Sequence, residues 1–140
     1  RKDGYCDDMT RNFFYKKVPS EKHRAIYETV RRANAAAEAI LKPGVPLCEV
    51  DKAARQIIED AGYGPNFTHR LGHFIGLEVH EYGDVSSANT KVAEVGNIFS
   101  IEPGIYVEGE VGVRIEDLVL ITDDGCEILN SFSKELDIVE

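Results

Sequence analysis

No stretch of this chain approaches the ~20 consecutive apolar residues that a membrane-spanning helix needs, so a membrane partner is not expected. The first ten residues, Arg1 to Thr10, are polar throughout and lack a signal-peptide pattern. Cysteine is scarce. The three present, Cys6, Cys48 and Cys126, are odd in number and widely spaced. That argues against a disulfide framework or a structural zinc knuckle. They read as reduced, mostly buried thiols of a cytoplasmic protein. Positive charge is in deficit: 16 Lys and Arg against 25 Asp and Glu leave a net charge of −9. An acidic surface repels phosphate backbones, which argues against nucleic acid as a partner. Acidic groups gathered in one cavity, by contrast, call for cations, and metal ions meet that need. There is also no initiator methionine and no leading helix, and the text runs from Arg-Lys-Asp-Gly-Tyr straight into a strand-like segment. The expectation is a piece of a longer protein.

What is present is an ordinary globular composition, 43% hydrophobic and 29% charged. A chain of 140 residues is the size of one domain, here taken as 1–140. Residues 10–15 are rich in aromatic and β-branched side chains and predict a strand. Ser20 then serves as a helix cap, with Glu21 in the first turn. Ile26, Val30, Ala33, Ala37 and Ile40 recur in steps of three and four, an apolar stripe on a long helix. Lys22, Glu28, Arg31, Arg32 and Glu38 fall on the opposite face, and Pro43-Gly44 stops the run. A second helix is predicted from about Cys48 to Ala61, with Val50, Ala54, Ile57 and Ala61 inward. Beyond Phe67 the pattern turns to strands: 99–101, a long one over 111–122, and 126–129 returning as a hairpin after Asp-Asp-Gly. Two helices among sheet segments predict an α+β or mixed α/β domain.

Ligand-type residues concentrate in four segments: Asp7-Asp8-Met9-Thr10-Arg11, His69-Arg70-Leu71-Gly72-His73, Glu102-Pro103-Gly104 and Arg114-Ile115-Glu116-Asp117, with His80-Glu81 after the second. Each alone has a plainer reading. Asp8 could be a turn residue, His73 a hydrogen-bonded packing residue, and Glu116 half of a surface ion pair with Arg114. Glu102 is harder to dismiss, because an acid beside Phe99-Ser100-Ile101 needs a partner. Taken together, one Asp, one His and two Glu near strand ends form a ligand set rich in hard oxygen. Such a set suits manganese or a similar divalent ion. His69 and His73 have HxxxH spacing, but the zincin motif needs Glu after the first His, where Arg70 stands, and Gly72 and Gly76 disfavour its helix.

His-Arg-Leu-Gly-His at 69–73, Val-His-Glu at 79–81, Ile-Glu-Pro-Gly-Ile-Tyr at 101–106, Gly-Val-Arg-Ile-Glu-Asp at 112–117 and Asp-Met-Thr-Arg at 8–11 together resemble the pita-bread metallopeptidases. The match is to their Xaa-Pro branch, aminopeptidase P and proline dipeptidase. It covers essentially the whole chain in matching order and spacing. The resemblance implies the pita-bread (creatinase/aminopeptidase-like) fold, here lacking its first strands. It also implies a dinuclear peptidase that hydrolyses Xaa-Pro bonds through a metal-bridging hydroxide. Asp8, His73, Glu102 and Glu116 would be metal ligands, with Asp8 and Glu116 shared between two divalent ions, best manganese, with cobalt or zinc also fitting. Glu102 would also move the proton of the bridging water. His80 would hydrogen-bond the carbonyl or oxyanion, His69 would line the substrate pocket, and Arg114 would support Glu116. Partners would be small peptides with proline at the second position, and the full-length protein would be a homodimer.

The chain departs from the family pattern in three places. The family has a fifth ligand, an Asp whose place by spacing falls just ahead of Arg1, so the 140-residue chain alone is expected to bind metal poorly and to be inactive. Phe74 stands where the family usually has Gly. Gly83-Asp84 stand where some proline dipeptidases carry Pro-Arg, and an acid there would repel a dipeptide's C-terminal carboxylate, which favours longer peptides. Two other readings stay open: another pita-bread hydrolase of the methionine aminopeptidase type, and a non-catalytic peptide-binding module on the same fold. The Arg114–Glu116 spacing, the placing of His80-Glu81 and the filled ligand positions favour the Xaa-Pro peptidase.

Overall fold

Residues 1–140 are all described by a computed structural model. Its elements run β1 (Phe13–Tyr15), α1 (Glu21–Ile40), α2 (Leu47–Asp60), a 3-10 turn (Gly64–Asn66), β2 (Gly72–His73) and β3 (Asp84–Val85). Then follow β4 (Ile98–Ile101), β5 (Gly104–Val107), β6 (Val111–Arg114), β7 (Asp117–Ile121), β8 (Cys126–Ile128) and β9 (Asp137–Val139). Two helices against short strand pairs give the expected α+β class. No helix is long and apolar enough to cross a membrane.

α1 starts where its cap places it: the Ser20 side chain accepts from the backbone N–H of His23. Its stripe buries Ile26, Val30, Ala33 and Ala37 completely. Ile40, expected on the same stripe, is 38% exposed, and Leu41 beyond the helix end is buried instead. The small Ala33 and Ala37 let α2 approach closely, and α2 buries Val50, Ala54 and Ile58, a strict step of four. That moves the expected contact from Ile57 to Ile58 and leaves Ala61 exposed. These side chains join Phe99, Ile101, Ile105, Val113, Ile115, Val119 and Ile121 in one core of 21 residues. Each fully buried aliphatic side chain stabilises the fold by about 1.5–3 kcal/mol.

The strands depart more from expectation, and the departures build the site. The predicted strand over 10–15 is a strand only at Phe13–Tyr15, where β1 lies parallel to β9 at the end of the chain, with Thr10 in a separate bridge. The predicted strand over 111–122 is two strands with different partners. β6 pairs antiparallel with β5, while β7 lies between β4 and β8. Between them Glu116 makes a separate bridge to Thr10, exchanging backbone bonds of 3.1 and 3.4 Å. A second break lies between β4 and β5, where Pro103 has no N–H to donate. Glu102, just before it, bonds through its own N–H to the carbonyl of Leu71, 2.8 Å away. Gly72 follows Leu71, and a Cβ there would collide with the carbonyl oxygen of Ser100, so only glycine permits this approach of β2 to β4.

Candidate metal centre

Four chain breaks or strand ends deliver four side chains to one point. His73 ends β2, is 3% exposed, and directs Nε2 at three carboxylates. The distances are 3.4 Å to Glu102 Oε1, 3.7 Å to Asp8 Oδ2 and 4.0 Å to Glu116 Oε1. The other ring nitrogen, Nδ1, lies 3.1 Å from the carbonyl of Phe74. A carbonyl can only accept, so Nδ1 donates there and Nε2 is the ring nitrogen left to face the cluster. Three carboxylates gathered around one imidazole concentrate negative charge in one pocket. Its electrostatics favour a cation.

Size agrees with charge. Oxygen and nitrogen ligands sit about 2.0–2.2 Å from a divalent ion, so two donors on one ion are at most about 4.4 Å apart. All three distances from Nε2 fall inside that limit. The donor atoms of Asp8, His73 and Glu116 also lie within 4.8 Å of one another. The residues present fit one or more divalent ions.

Hydroxyls orient the carboxylates. Ser100 Oγ accepts from the backbone N–H of His73 at 2.9 Å and donates to Glu102 Oε1 at 3.0 Å, tying two members of the cluster through one atom. Thr10 Oγ1 donates to Glu116 Oε2 at 2.5 Å and accepts from Arg114 Nε at 3.0 Å. Arg114 itself is 3.9 Å from both Glu102 and Glu116, with its side chain 44% exposed. It acts on Glu116 chiefly through Thr10. Burial pushes the Glu116 carboxyl above its ordinary value, and the Glu102 and Asp8 carboxylates add to that, while the Thr10 hydroxyl and Arg114 oppose it. A bound cation would reverse the balance and favour the ionised form.

The two remaining histidines lie beside the cluster. The exposed His80 meets His73 edge-on, with ring centroids 4.2 Å apart. His69 Nδ1 is 2.7 Å from the carbonyl of Arg70, to which it can only donate, and Nε2 lies 2.8 Å from the Tyr106 hydroxyl. Burial raises the Tyr106 hydroxyl above its usual range, so it stays a donor. Thr10, Ser100 and Tyr106 were not singled out in the sequence. Ser100 had a signal, since a hydroxyl between Phe99 and Ile101 in a buried strand needs a partner. A groove of about 1010 Å³ is lined by Phe74, Tyr82, Asn89 and Val92 among others, and by none of the four convergent residues. Donor chemistry, not volume, locates the candidate site.

The model of metallopeptidase family M24 matches residues 1–123. YkvY of Bacillus subtilis (strain 168), a dipeptidase by name, is 51% identical over 137 residues, which is 98% of this chain and 38% of that protein. Dipeptidase PepE from Mycobacterium ulcerans superposes with a TM-score of 0.95 at 41% identity, over 99% of this chain and 37% of its own. The X-Pro aminopeptidase of Thermotoga maritima MSB8 gives 0.90 at 39% identity, over 97% of this chain and 38% of its own. The chain thus spans well under half the length of the proteins it matches. Its fold is the pita-bread arrangement of these peptidases.

Proposed function

The chain belongs to metallopeptidase family M24, and from that premise we propose that the protein carrying it is a dinuclear metal-dependent peptidase. It cleaves Xaa-Pro bonds in small peptides with proline at the second position. One observation carries the reading: His73, whose Nδ1 faces the Phe74 carbonyl, turns Nε2 to Asp8, Glu102 and Glu116 at 3.4–4.0 Å. Asp8, His73, Glu102 and Glu116 would hold two divalent ions, whose chemistry would be to activate a water near neutral pH. Glu102, held by Ser100, takes the proton of the attacking water and passes it to the departing amine. His80 donates a hydrogen bond to the oxyanion developing on the scissile carbonyl. His69 lines the substrate pocket with its ring held by Arg70 and Tyr106. Arg114 steadies Glu116 through the Thr10 hydroxyl.

Three carboxylates to one imidazole favour manganese, with cobalt and zinc as other ions the same donors accept. Proline at the leaving side makes a tertiary amide with no N–H, so selection rests on the shape of the ring. Asp84, opposite His73 in the β2–β3 register, adds a negative charge to the neighbouring groove. It disfavours a dipeptide's free carboxylate there and favours longer peptides. The reading includes a homodimer, on the resemblance alone, and the cytoplasm, on the three unpaired thiols.

The test uses the full-length protein loaded with manganese. It should release the first residue of Xaa-Pro-Xaa tripeptides. Glu102→Gln should lower kcat by about 10²–10⁴-fold while the protein stays folded. An unchanged kcat in that variant would remove Glu102 from the mechanism. Cleavage of Xaa-Pro dipeptides alone would overturn the preference for longer peptides.

A further inference from the structure

Behind the cluster lies a buried polar network that none of the assigned roles uses. Arg11 is its first hub, with a side chain 9% exposed. Its guanidinium has five N–H donors, and all five are engaged. Nη1 donates to the carbonyls of Thr10 at 2.9 Å and Glu116 at 2.7 Å. Nη2 donates to Asp117 Oδ1 at 2.6 Å and to the carbonyl of Phe132 at 2.9 Å. Nε is shared between the carbonyls of Phe132 and Ser133, at 3.2 and 3.1 Å.

Lys134 is the second hub, and its three donors are also taken. Nζ reaches Asn34 Oδ1 at 2.9 Å, the Glu38 carboxylate at 2.8 Å, and Asp117 Oδ2 at 2.9 Å. The last contact is an ion pair too oblique for a directed hydrogen bond. Asn34, fully buried on α1, then donates from Nδ2 to the carbonyl of Ile101 at 3.1 Å. The two hubs therefore grip the backbone at Glu116 itself, at Thr10, whose hydroxyl orients Glu116, and at Ile101, which precedes Glu102.

We propose that Lys134 and Asn34 are positioning residues for the metal centre: the segment 130–136 crosses behind it and, through Arg11 and Asp117, fixes the backbone that aims Glu102 and Glu116. The inference rests on the metal reading of the cluster. Neither residue touches substrate or metal. A network of this kind is costly to leave half-satisfied, because each orphaned group keeps its desolvation penalty. A carboxylate free to shift by a fraction of an ångström binds a cation less tightly, and loss of such supporting bonds typically lowers metal affinity about 10–100-fold.

Manganese affinity is measured by calorimetry on the full-length protein and three variants, at a temperature where circular dichroism shows each folded. Lys134→Met removes the hub, and Asn34→Leu removes only the anchor on Ile101. Tyr27→Phe is the control. It loses the hydroxyl bonds to the carbonyls of Lys134 and Glu135, and so loosens the same segment without touching the ligand backbones. The expected result is a manganese Kd raised about 10–100-fold in Asn34→Leu and in Lys134→Met, and within about twofold of the parent in Tyr27→Phe. If Lys134→Met does not fold, Asn34→Leu decides. Parent-like affinity in Asn34→Leu overturns the inference and leaves the metal reading standing. An equal loss in Tyr27→Phe also overturns it, since the effect would then follow stability alone. Failure of the parent protein to bind manganese overturns both.

Discussion

A carboxyl group only 2% exposed, with two other carboxylates as neighbours, is a poor anion until something positive arrives, and Glu116 is in that position. Glu38 meets the same difficulty without a metal. Burial pushes its carboxyl from 4.5 to about 7, against the pull of the Lys134 ammonium and with the help of the Asp117 carboxylate. Asp117 moves the other way. Burial would raise it, but the Arg11 guanidinium, Lys134 and the Glu38 proton together hold it below its ordinary value. The sign for Glu38 follows. Between pH 4.5 and about 7 the folded chain keeps a proton that the unfolded chain releases, so stability falls as pH rises through that window. The Asp117 contribution is lost only at lower pH, below the ordinary carboxylate range. Glu38→Gln mimics the protonated form and should flatten the fall. Its melting temperature minus that of the parent should grow by roughly 4 °C between pH 5 and pH 8, and parallel curves would refute the account. None of this was legible from helical periodicity, which puts Glu38 on the polar face with Arg31 and Arg32. Its burial depends on Lys134, 96 residues further along.

At the scale of elements, the helices were readable because their stripes are local. The cap at Ser20 and the steps of four along α1 and α2 need no partner to be recognised. The strands were readable in content but not in their breaks. Alternation across 111–122 looks like one continuous strand, yet Val113 pairs with Ile105 while Val119 pairs with Phe99. Nothing local marks the switch at Ile115-Glu116, because it is set by Thr10 arriving from the far end of the chain. The same holds for β9, whose partner β1 lies more than a hundred residues earlier. The close approach of β2 to β4 has a direct test. Gly72→Ala forces a Cβ against the carbonyl of Ser100, whose hydroxyl ties His73 to Glu102. The expected loss is about 3 kcal/mol in urea denaturation, at the upper end for overpacking. A change below about 0.5 kcal/mol, the range of an unremarkable surface substitution, would mean that the approach is not tight.

Across the whole molecule, residues 8, 73, 102 and 116 come together although the text scatters them. Each was recognisable as a ligand type at an expected strand end or turn, and the motif order supplied the hypothesis that they meet. Of the supporting layer only Ser100 left a signal. Thr10, Arg11 and Lys134 act on carboxylates, an amide and backbone carbonyls that only the folded chain brings to them. Acidity also acquires a location: of the 25 acidic residues, Asp8, Glu102 and Glu116 converge on one imidazole. The account stands or falls on whether that convergence holds metal. Crystals of the full-length protein grown with manganese, measured at a wavelength where manganese scatters anomalously, test it most directly. Two anomalous peaks about 3.5–4 Å apart, among Asp8, His73, Glu102 and Glu116, are predicted. A map with no peak among those side chains, from protein that still cleaves Xaa-Pro peptides, would contradict it.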